Sequence, residues 1–342
     1  MQKKKPIILI DPYPRTMDLL FSKKNFEYLK KNFTLITAPK KNKNYFYNKY
    51  LSTAKYIIGQ PDLPTDLITK QNFLKAIFNV ESNFMDNMDY GYCFEKNIHV
   101  LATSPVFAQP VAEMALGLTL SIARSIHIAH NDFVKGKEKY GGEISQNNFV
   151  LKNKTFGLIG FGDLGRALTP LLSPFSNKML AYDPWVPDLE IKKNNVQPCS
   201  LKQLLSSSDV IYILATITSS NQGMINEEIF KNIKDQTTFV LMSRAAIINF
   251  DDFYKFLKNR KVFAAIDVFP KEPFPKNHKL RKLKNVIFSP HRAGALESAF
   301  KEMGDLVIED LKLINKGLPP RLCKRAIKET VRHLRSKPVD IN

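Results

Sequence analysis

Short aliphatic and β-branched runs alternate with longer amphipathic segments along the whole chain. Apolar runs of about four to eight residues bounded by turn residues are typical of buried strands, and alternation with helices favours parallel sheets built from βαβ units. The strand-like runs form two series: IILID, FTLITA, YIIGQ, AIFNV and HVLAT, then TFGLIG, MLAYDP, VIYIL, TFVLMS, FAAIDVF and VIFSP. We therefore predict an α/β protein with two doubly wound parallel sheets.

A long apolar segment separates the two series. Residues 110–130, PVAEMALGLTLSIARSIHIAH, are apolar at nearly every turn, which predicts one long helix that crosses between two domains. After the last strand, residues 297–317 predict a second long helix that ends at Gly317. Turn-rich stretches at TSPVF and SPHRAG are candidate boundaries of the second domain.

Length and composition indicate the class of protein. A chain of 342 residues with 44% hydrophobic and 24% charged residues is typical of a globular enzyme of two domains. The three cysteines are far apart and form no C-x-x-C pair, which argues against a metal or disulfide framework and fits the cytoplasm. No apolar run reaches the length needed to span a bilayer, so we expect no membrane segment.

The net charge of +19 raises the question of an anionic partner. Most of this charge is lysine spread along the chain, without the interleaved aromatic residues of a platform for single-stranded nucleic acid. We therefore expect a small-molecule substrate, and neither nucleic acid nor a membrane surface as the partner.

The stretch LIGFGDLGRAL contains the glycine pattern G-x-G-x-x-G between a predicted strand and a predicted helix. In a dinucleotide site Gly160 would permit the tight turn, Gly162 would let the backbone approach a pyrophosphate, and Gly165 would let the helix pack on the strand. Asp163 and Leu164 begin the helix whose first amides and dipole would face the phosphates. These five residues are the predicted phosphate-binding loop.

Asp183 strengthens this interpretation, because it ends the next strand 18 residues after Gly165. A carboxylate at this position accepts hydrogen bonds from the adenosine ribose and repels a 2′-phosphate. The sequence therefore predicts NAD, rather than NADP, as the cofactor.

Four chemically distinctive residues follow three successive strands of the second series: Arg244, Asp267, Glu272 and His291. The carboxyl ends of strands border the ligand crevice in an open α/β sheet. Oxidation of a 2-hydroxy acid needs a histidine to take the hydroxyl proton, a carboxylate to hold that histidine, and an arginine to anchor the substrate carboxylate.

These motifs resemble the D-isomer-specific 2-hydroxyacid dehydrogenase family, and GFGDLG, SRAA, IDVFPKEP and SPHRAG are the most specific of them. The resemblance implies that Arg244, Glu272 and His291 are catalytic and that Asp267 lies near the nicotinamide carboxamide. An aspartate at a strand end also caps turns, so Asp267 has a structural alternative.

The resemblance also implies the domain arrangement, a Rossmann cofactor domain inserted into a smaller flavodoxin-like substrate domain. The boundaries we predict are 1–104 for the first part of the substrate domain, 105–292 for the NAD-binding domain, 293–320 for the return and 321–342 for a basic tail. Members of the family usually dimerise through the region of the long crossover helix, so we expect a homodimer.

The loop VESNFMDN departs from the family, which usually has glycines where Ser82 and Phe84 stand. Ser82, Asn83 and Phe84 are candidate substrate-binding residues, and Glu81 would add a charge unfavourable to a polyanion. The alternative is that these side chains point into the core of the small domain.

The tail has a pattern of its own. On a helix, basic residues spaced by three and four would form one stripe and apolar residues a second: Arg321, Arg325, Lys328, Arg332 and Arg335, and Leu322, Ile327, Val331 and Leu334. We expect this helix to dock on an acidic surface of the same protein or of its dimer mate; an external anion is the alternative.

The leading hypothesis is an NAD-dependent oxidoreductase that interconverts a D-2-hydroxy acid and its 2-oxo acid. Phosphite oxidation is compatible with the same three catalytic residues. A protein of another class, a dinucleotide-sensing regulator or corepressor of the same fold, is the alternative hypothesis.

Overall fold

The computed structural model describes residues 4–81, 84–141 and 148–334. The chain divides into two compact units: a first unit built from Met1–Val106 with Ala295–Asn342, and a second unit built from Phe107–Gly294. The divisions lie two residues beyond the predicted 104 and 292, and the tail belongs to the first unit.

The predicted strands all form, and two short ones that the pattern does not indicate, β8 and β13, are added. The strands are β1 (Ile7–Asp11), β2 (Thr34–Thr37), β3 (Ala54–Gly59), β4 (Ala76–Asn79), β5 (His99–Ala102), β6 (Phe156–Ile159), β7 (Met179–Tyr182), β8 (Gln197–Pro198), β9 (Val210–Ile213), β10 (Thr238–Leu241), β11 (Phe263–Ile266), β12 (Val286–Phe288) and β13 (Lys324–Arg325).

The helices alternate with these strands, as the βαβ pattern requires. They are α1 (Met17–Leu20), α2 (Lys23–Asn32), α3 (Lys43–Tyr50), α4 (Thr65–Ile68), α5 (Tyr90–Glu95), α6 (Ala108–Ala123), α7 (Ile126–Val134), α8 (Asp163–Leu172), α9 (Asp188–Lys192), α10 (Leu201–Ser207), α11 (Glu227–Phe230), α12 (Phe250–Asn259), α13 (Glu297–Asn315) and α14 (Lys328–Val331).

Each unit contains one wound sheet. In the first unit the order is β13-β5-β4-β3-β1-β2, in which β1 to β5 run parallel in the flavodoxin-like order and β13 is antiparallel. In the second unit the order is β12-β11-β10-β9-β6-β7-β8, and all strands are parallel. The chain adds β7 and β8 on one side of β6, then returns to add β9 to β12 on its other side, as in a Rossmann fold. The predicted fold class is confirmed.

The cores follow from strands that are buried on both faces. In β6, β9 and β10 every residue is buried, and α6 packs against α8 on one side of the second sheet. The hydroxyl of Tyr212 is paired with Thr119 Oγ1 of α6 at 2.9 Å, which satisfies the polar end of a fully buried ring. The prediction that no apolar run reaches the length of a membrane span is wrong, because residues 104–123 form a helical segment that is long and apolar enough by length and composition. Several of its side chains, among them Val111, Ala115 and Ile122, are buried in the core of the second unit.

The prediction of one helix over residues 110–130 is wrong, because the chain breaks between α6 and α7. Ser125 adopts a left-handed conformation with φ of 51°. Its hydroxyl donates to Asn148 Oδ1 at 2.6 Å, and the amide of Phe149 donates to the carbonyl of Ala123 at 2.8 Å. Contacts with a later segment of the chain therefore replace the helical hydrogen bonds at this point.

The prediction of a continuous tail helix is also wrong. The buried carboxylate of Asp310 accepts hydrogen bonds from the amides of Arg321, Leu322 and Cys323 at 2.7–3.2 Å, which holds the chain extended as it enters β13. Of the four predicted apolar residues, the structure buries Val331 and Leu334 in the core of the first unit and leaves Leu322 and Ile327 exposed. The tail thus docks on its own chain, while Arg335 lies outside the described residues.

Candidate active site

The glycine motif forms a strand–turn–helix with open space at its centre. Gly160 has φ of 96°, and a Cβ there would lie 2.5 Å from backbone atoms of Ala215; a Cβ at Gly165 would lie 3.0 Å from the carbonyl oxygen of Gly160. A Cβ at Gly162 would meet nothing within 4 Å. Gly162, the N-cap of α8, has no side chain to bond the first-turn amides, and amides at a helix N-terminus are suited to bind an anion. The loop therefore fits a pyrophosphate.

The other two residues of the motif have different environments. Asp163 is the first residue of α8 and is half-buried, and Leu164 packs against the core of the second unit. The backbone of Leu164, rather than its side chain, is thus the part suited to a phosphate.

Asp183 connects the glycine loop to the end of β7. Its Oδ2 accepts the amide of Phe161 at 2.7 Å, and its Oδ1 accepts the amides of Trp185 and Val186 at 2.9 and 3.2 Å. Each carboxylate oxygen has more than one lone pair, so these bonds leave acceptor capacity for a ribose hydroxyl. The carboxylate is thereby held in one orientation before any ligand binds.

The register of the second sheet brings the ends of three strands to one level. Leu241 of β10 pairs with Ile266 of β11, which in turn pairs with Phe288 of β12. Arg244, Asp267, Glu272 and His291 all follow these ends within the second unit. The three predicted catalytic residues and the glycine motif therefore share one domain.

His291 and Glu272 form a direct pair. His291 Nδ1 lies 2.7 Å from Glu272 Oε2, and the other carboxylate oxygen accepts the amide of Phe269 at 2.9 Å. Burial alone would raise the pKa of Glu272, but these hydrogen bonds and the positive charges of His291 and Arg244 hold this pKa below its usual value. An ionised carboxylate therefore faces the imidazole, and Arg244 lies near enough to affect it.

Asp267 holds the turn that carries the histidine. Its backbone carbonyl accepts the amide of His291 at 2.7 Å, and its carboxylate accepts the amides of Arg292 and Ala293 at 3.0 and 3.2 Å. These bonds support His291 in a left-handed conformation with φ of 53°, which a non-glycine residue adopts only when its surroundings impose it. The turn-capping alternative for Asp267 is thus observed, and its contact with nicotinamide stays a prediction.

Comparison with known proteins places this arrangement in a family. Residues 116–293 match the family model described as D-isomer specific 2-hydroxyacid dehydrogenase, NAD binding domain. The chain is 33% identical to a glyoxylate reductase of Thermofilum pendens, over 74% of this chain and 76% of that protein. It is 34% identical to a hydroxypyruvate reductase of Thermotoga maritima, over 66% of this chain and 73% of that one.

The chain belongs to the D-isomer-specific 2-hydroxyacid dehydrogenase family. A solved structure of a phosphoglycerate oxidoreductase from Rhizobium etli supports this, with a TM-score of 0.87 and 40% identity over 96% of this chain and all of that one. The family and NAD as the cofactor are confirmed, as is hydride transfer between a 2-hydroxy acid and a 2-oxo acid. Nothing supports the alternative of a regulatory protein.

In this dehydrogenase the unusual loop after β4 packs into the core of the first unit, of which it is part. The ring of Phe84 is buried in that unit's core, edge-on to Tyr90 at 6.4 Å, so the packing contradicts a pocket-lining role and favours the core alternative. The carboxylate of Glu81 is buried and pairs with Arg15 at 3.0 Å, which neutralises the charge we expected a polyanion to meet. Ser82 and Asn83 lie outside the described residues.

Sequence reasoning missed the groups that hold the site residues in the dehydrogenase. They are the backbone amides of Phe161, which donates to Asp183, and of Phe269, which donates to Glu272. Backbone amides leave no signal in a sequence.

Proposed function

We propose that this dehydrogenase reduces short 2-oxo acids, glyoxylate and hydroxypyruvate, to 2-hydroxy acids with NADH. Glyoxylate and hydroxypyruvate reductases are among its relatives. The observation that carries the residue roles is the 2.7 Å contact between His291 and Glu272, in the same unit as Arg244 and the glycine motif. His291 and Glu272 are the acid–base pair and Arg244 is the substrate anchor.

The chemistry follows from the orientation of the imidazole. When held by the glycine loop and Asp183, NADH would supply the hydride that C2 of the 2-oxo acid accepts. Because Nδ1 faces Glu272, Nε2 is the nitrogen that delivers a proton to the carbonyl oxygen, which completes the alcohol. The carboxylate stabilises the imidazolium, and the guanidinium of Arg244 binds the substrate carboxylate and the developing oxyanion.

The test is a panel of 2-oxo acids measured by loss of NADH absorbance. Glyoxylate and hydroxypyruvate should show the highest kcat/KM. The 40% identity to a phosphoglycerate oxidoreductase over 96% of the chain favours a second candidate, 3-phosphohydroxypyruvate, which the same panel ranks. Tight NADH binding without turnover of any acid would overturn the proposal.

We expect Asp183→Ala to weaken NADH binding and to favour NADPH relatively. The substitution removes a charged acceptor for ribose hydroxyls, worth about 1.5–3 kcal/mol, or roughly 10- to 100-fold in affinity, and it removes the charge that repels a 2′-phosphate. Titration of both cofactors measures the effect, and the exposed Asp188→Ala is the matched control. A wild-type protein that uses NADPH as well as NADH would contradict the assignment.

We also propose that the protein is a homodimer joined through α7. No residue of α7 is buried, although its side chains include Ile126, Ile128, Phe133 and Val134, which are 41–71% exposed. An apolar helix that the described residues of one chain leave uncovered is suited to a second copy of that chain. The family resemblance implies a dimer through this region.

Sedimentation equilibrium tests the dimer. We expect the wild type to have twice the chain mass, and Ile126→Ser with Phe133→Ser to have the mass of one chain. Phe73→Ser removes an equally exposed aromatic ring from the first unit and should leave the dimer intact. A monomeric wild type, or a double variant that stays dimeric, would show that α7 is not the interface.

A further inference from the structure

The loop that carries Glu272 has no regular secondary structure of its own. It leaves β11 at Asp267 and runs to the short 3₁₀ helix Lys279–Lys282. Acid–base catalysis requires the two groups to hold hydrogen-bond distance, and a side chain on an irregular loop keeps its place only if surrounding contacts fix it. The contacts that fix this loop therefore bear on the position of Glu272.

The exposed side chain of Arg281 bonds two backbone carbonyls of this loop. Its Nε donates to the carbonyl of Pro275 at 2.9 Å, and its Nη2 donates to the carbonyl of Phe274 at 2.8 Å. The guanidinium also lies 5.2 Å from the centre of the Phe274 ring. In the described part of the chain Arg281 has no carboxylate partner, so its planar fork is used on two consecutive carbonyls of the loop.

Phe274 transmits this constraint to the catalytic glutamate. Its ring stacks on Phe269 at a centroid distance of 4.5 Å and an interplanar angle of 30°. Phe269 in turn donates its amide to Glu272 Oε1, while Oε2 of the same carboxylate faces His291. Three successive contacts therefore lead from the exposed guanidinium to the carboxylate.

We infer that Arg281 is a positioning residue for the acid–base pair, acting through Phe274 and Phe269 to hold the Glu272 carboxylate against His291. This rests on the proposed roles of Glu272 and His291. A lysine in its place would be a single point donor that cannot bridge two carbonyls while stacking on a ring. Arg281 does not itself touch the reacting groups.

The charged groups around this contact define the control. Lys279 and Lys282 share the 3₁₀ helix with Arg281, and Lys279 pairs with Asp251. Lys282 is exposed and adjacent to Arg281. Lys282→Ala therefore removes the same charge from the same surface and leaves the loop contacts in place.

The experiment compares Arg281→Ala, Arg281→Lys and Lys282→Ala with glyoxylate or hydroxypyruvate and NADH, by kcat, KM, NADH affinity, melting temperature and the pH profile of kcat/KM. We expect both Arg281 variants to lower kcat about three- to tenfold, a fraction of the factor of ~10²–10⁴ that acid–base catalysis supplies. NADH affinity should be unchanged. Lys282→Ala should retain wild-type kcat.

The pH profile separates positioning from charge. Reduction needs a proton donor, so its rate falls as the pH rises. A loosened carboxylate stabilises the imidazolium less, which moves the half-maximal pH of Arg281→Ala downward; loss of a nearby positive charge alone would move it upward. An upward or absent shift, a wild-type kcat in Arg281→Ala, or an equal loss in Lys282→Ala would overturn the inference. If His291→Ala stays active, the proposed roles fail instead.

Discussion

Replacing His291 with alanine should lower kcat by about two to four orders of magnitude, which is the usual contribution of general acid–base catalysis. The substitution removes the only proton donor that the proposal assigns, and it leaves Glu272 without its partner at 2.7 Å. NADH binding should survive, because the glycine loop and Asp183 are held by contacts that do not involve the histidine. Single-turnover rates and NADH titration measure the two effects separately.

His333→Ala, a change in the tail of the first unit, is the control for loss of a histidine and should leave kcat unchanged. The pH profile adds a second criterion. Burial alone would raise the pKa of Glu272, but the hydrogen bonds from His291 and Phe269 hold it below its usual value, so this carboxylate stays ionised across neutral pH and does not itself produce a limb there. Any limb near neutral pH in the wild type should therefore disappear in His291→Ala. A variant with near-normal kcat would refute the assigned role.

Replacing Arg244 with lysine should lower kcat/KM by about two to three orders of magnitude, comparable to the loss of a donor that stabilises a developing oxyanion. Lysine keeps the charge but loses the planar fork that binds a carboxylate through two parallel hydrogen bonds. One guanidinium nitrogen already donates to the carbonyl of Ser243 at 2.8 Å, which fixes the direction of the rest. Steady-state kinetics on the best acid of the panel measure the loss.

Arg260→Lys is the matched control. Like Arg244, Arg260 donates to a backbone carbonyl, that of Ile233, and it also pairs with Asp235, but it lies on another part of the second unit. It should retain the wild-type kcat/KM. Equal activity of Arg244→Lys and the wild type would show that the substrate carboxylate is bound elsewhere.

Phe84 shows where sequence reasoning reached its limit. The loop sequence was equally compatible with a side chain that lines the substrate pocket and with one that packs in the core. The direction of a loop side chain depends on the elements packed beside it. Its edge-on contact with Tyr90 and its burial in the first unit decide for the core. The break between α6 and α7 has a similar origin, in contacts with Asn148 and Phe149 that no local pattern reports.

The sequence by itself determined every strand except the short β8 and β13, the alternation of strands with helices, the glycine turn at Gly160 and the three strand ends that carry Arg244, Glu272 and His291. Burial, backbone hydrogen bonding and the need for glycine at Gly160 act over a few residues, so they leave a local pattern. Only the tertiary structure decided that Asp310 extends the tail, that Asp267 caps the histidine turn, and that Arg281 reaches Glu272 through two aromatic rings. These contacts join segments that the chain brings together only when the sheets form, and their energy depends on distances that a sequence does not contain.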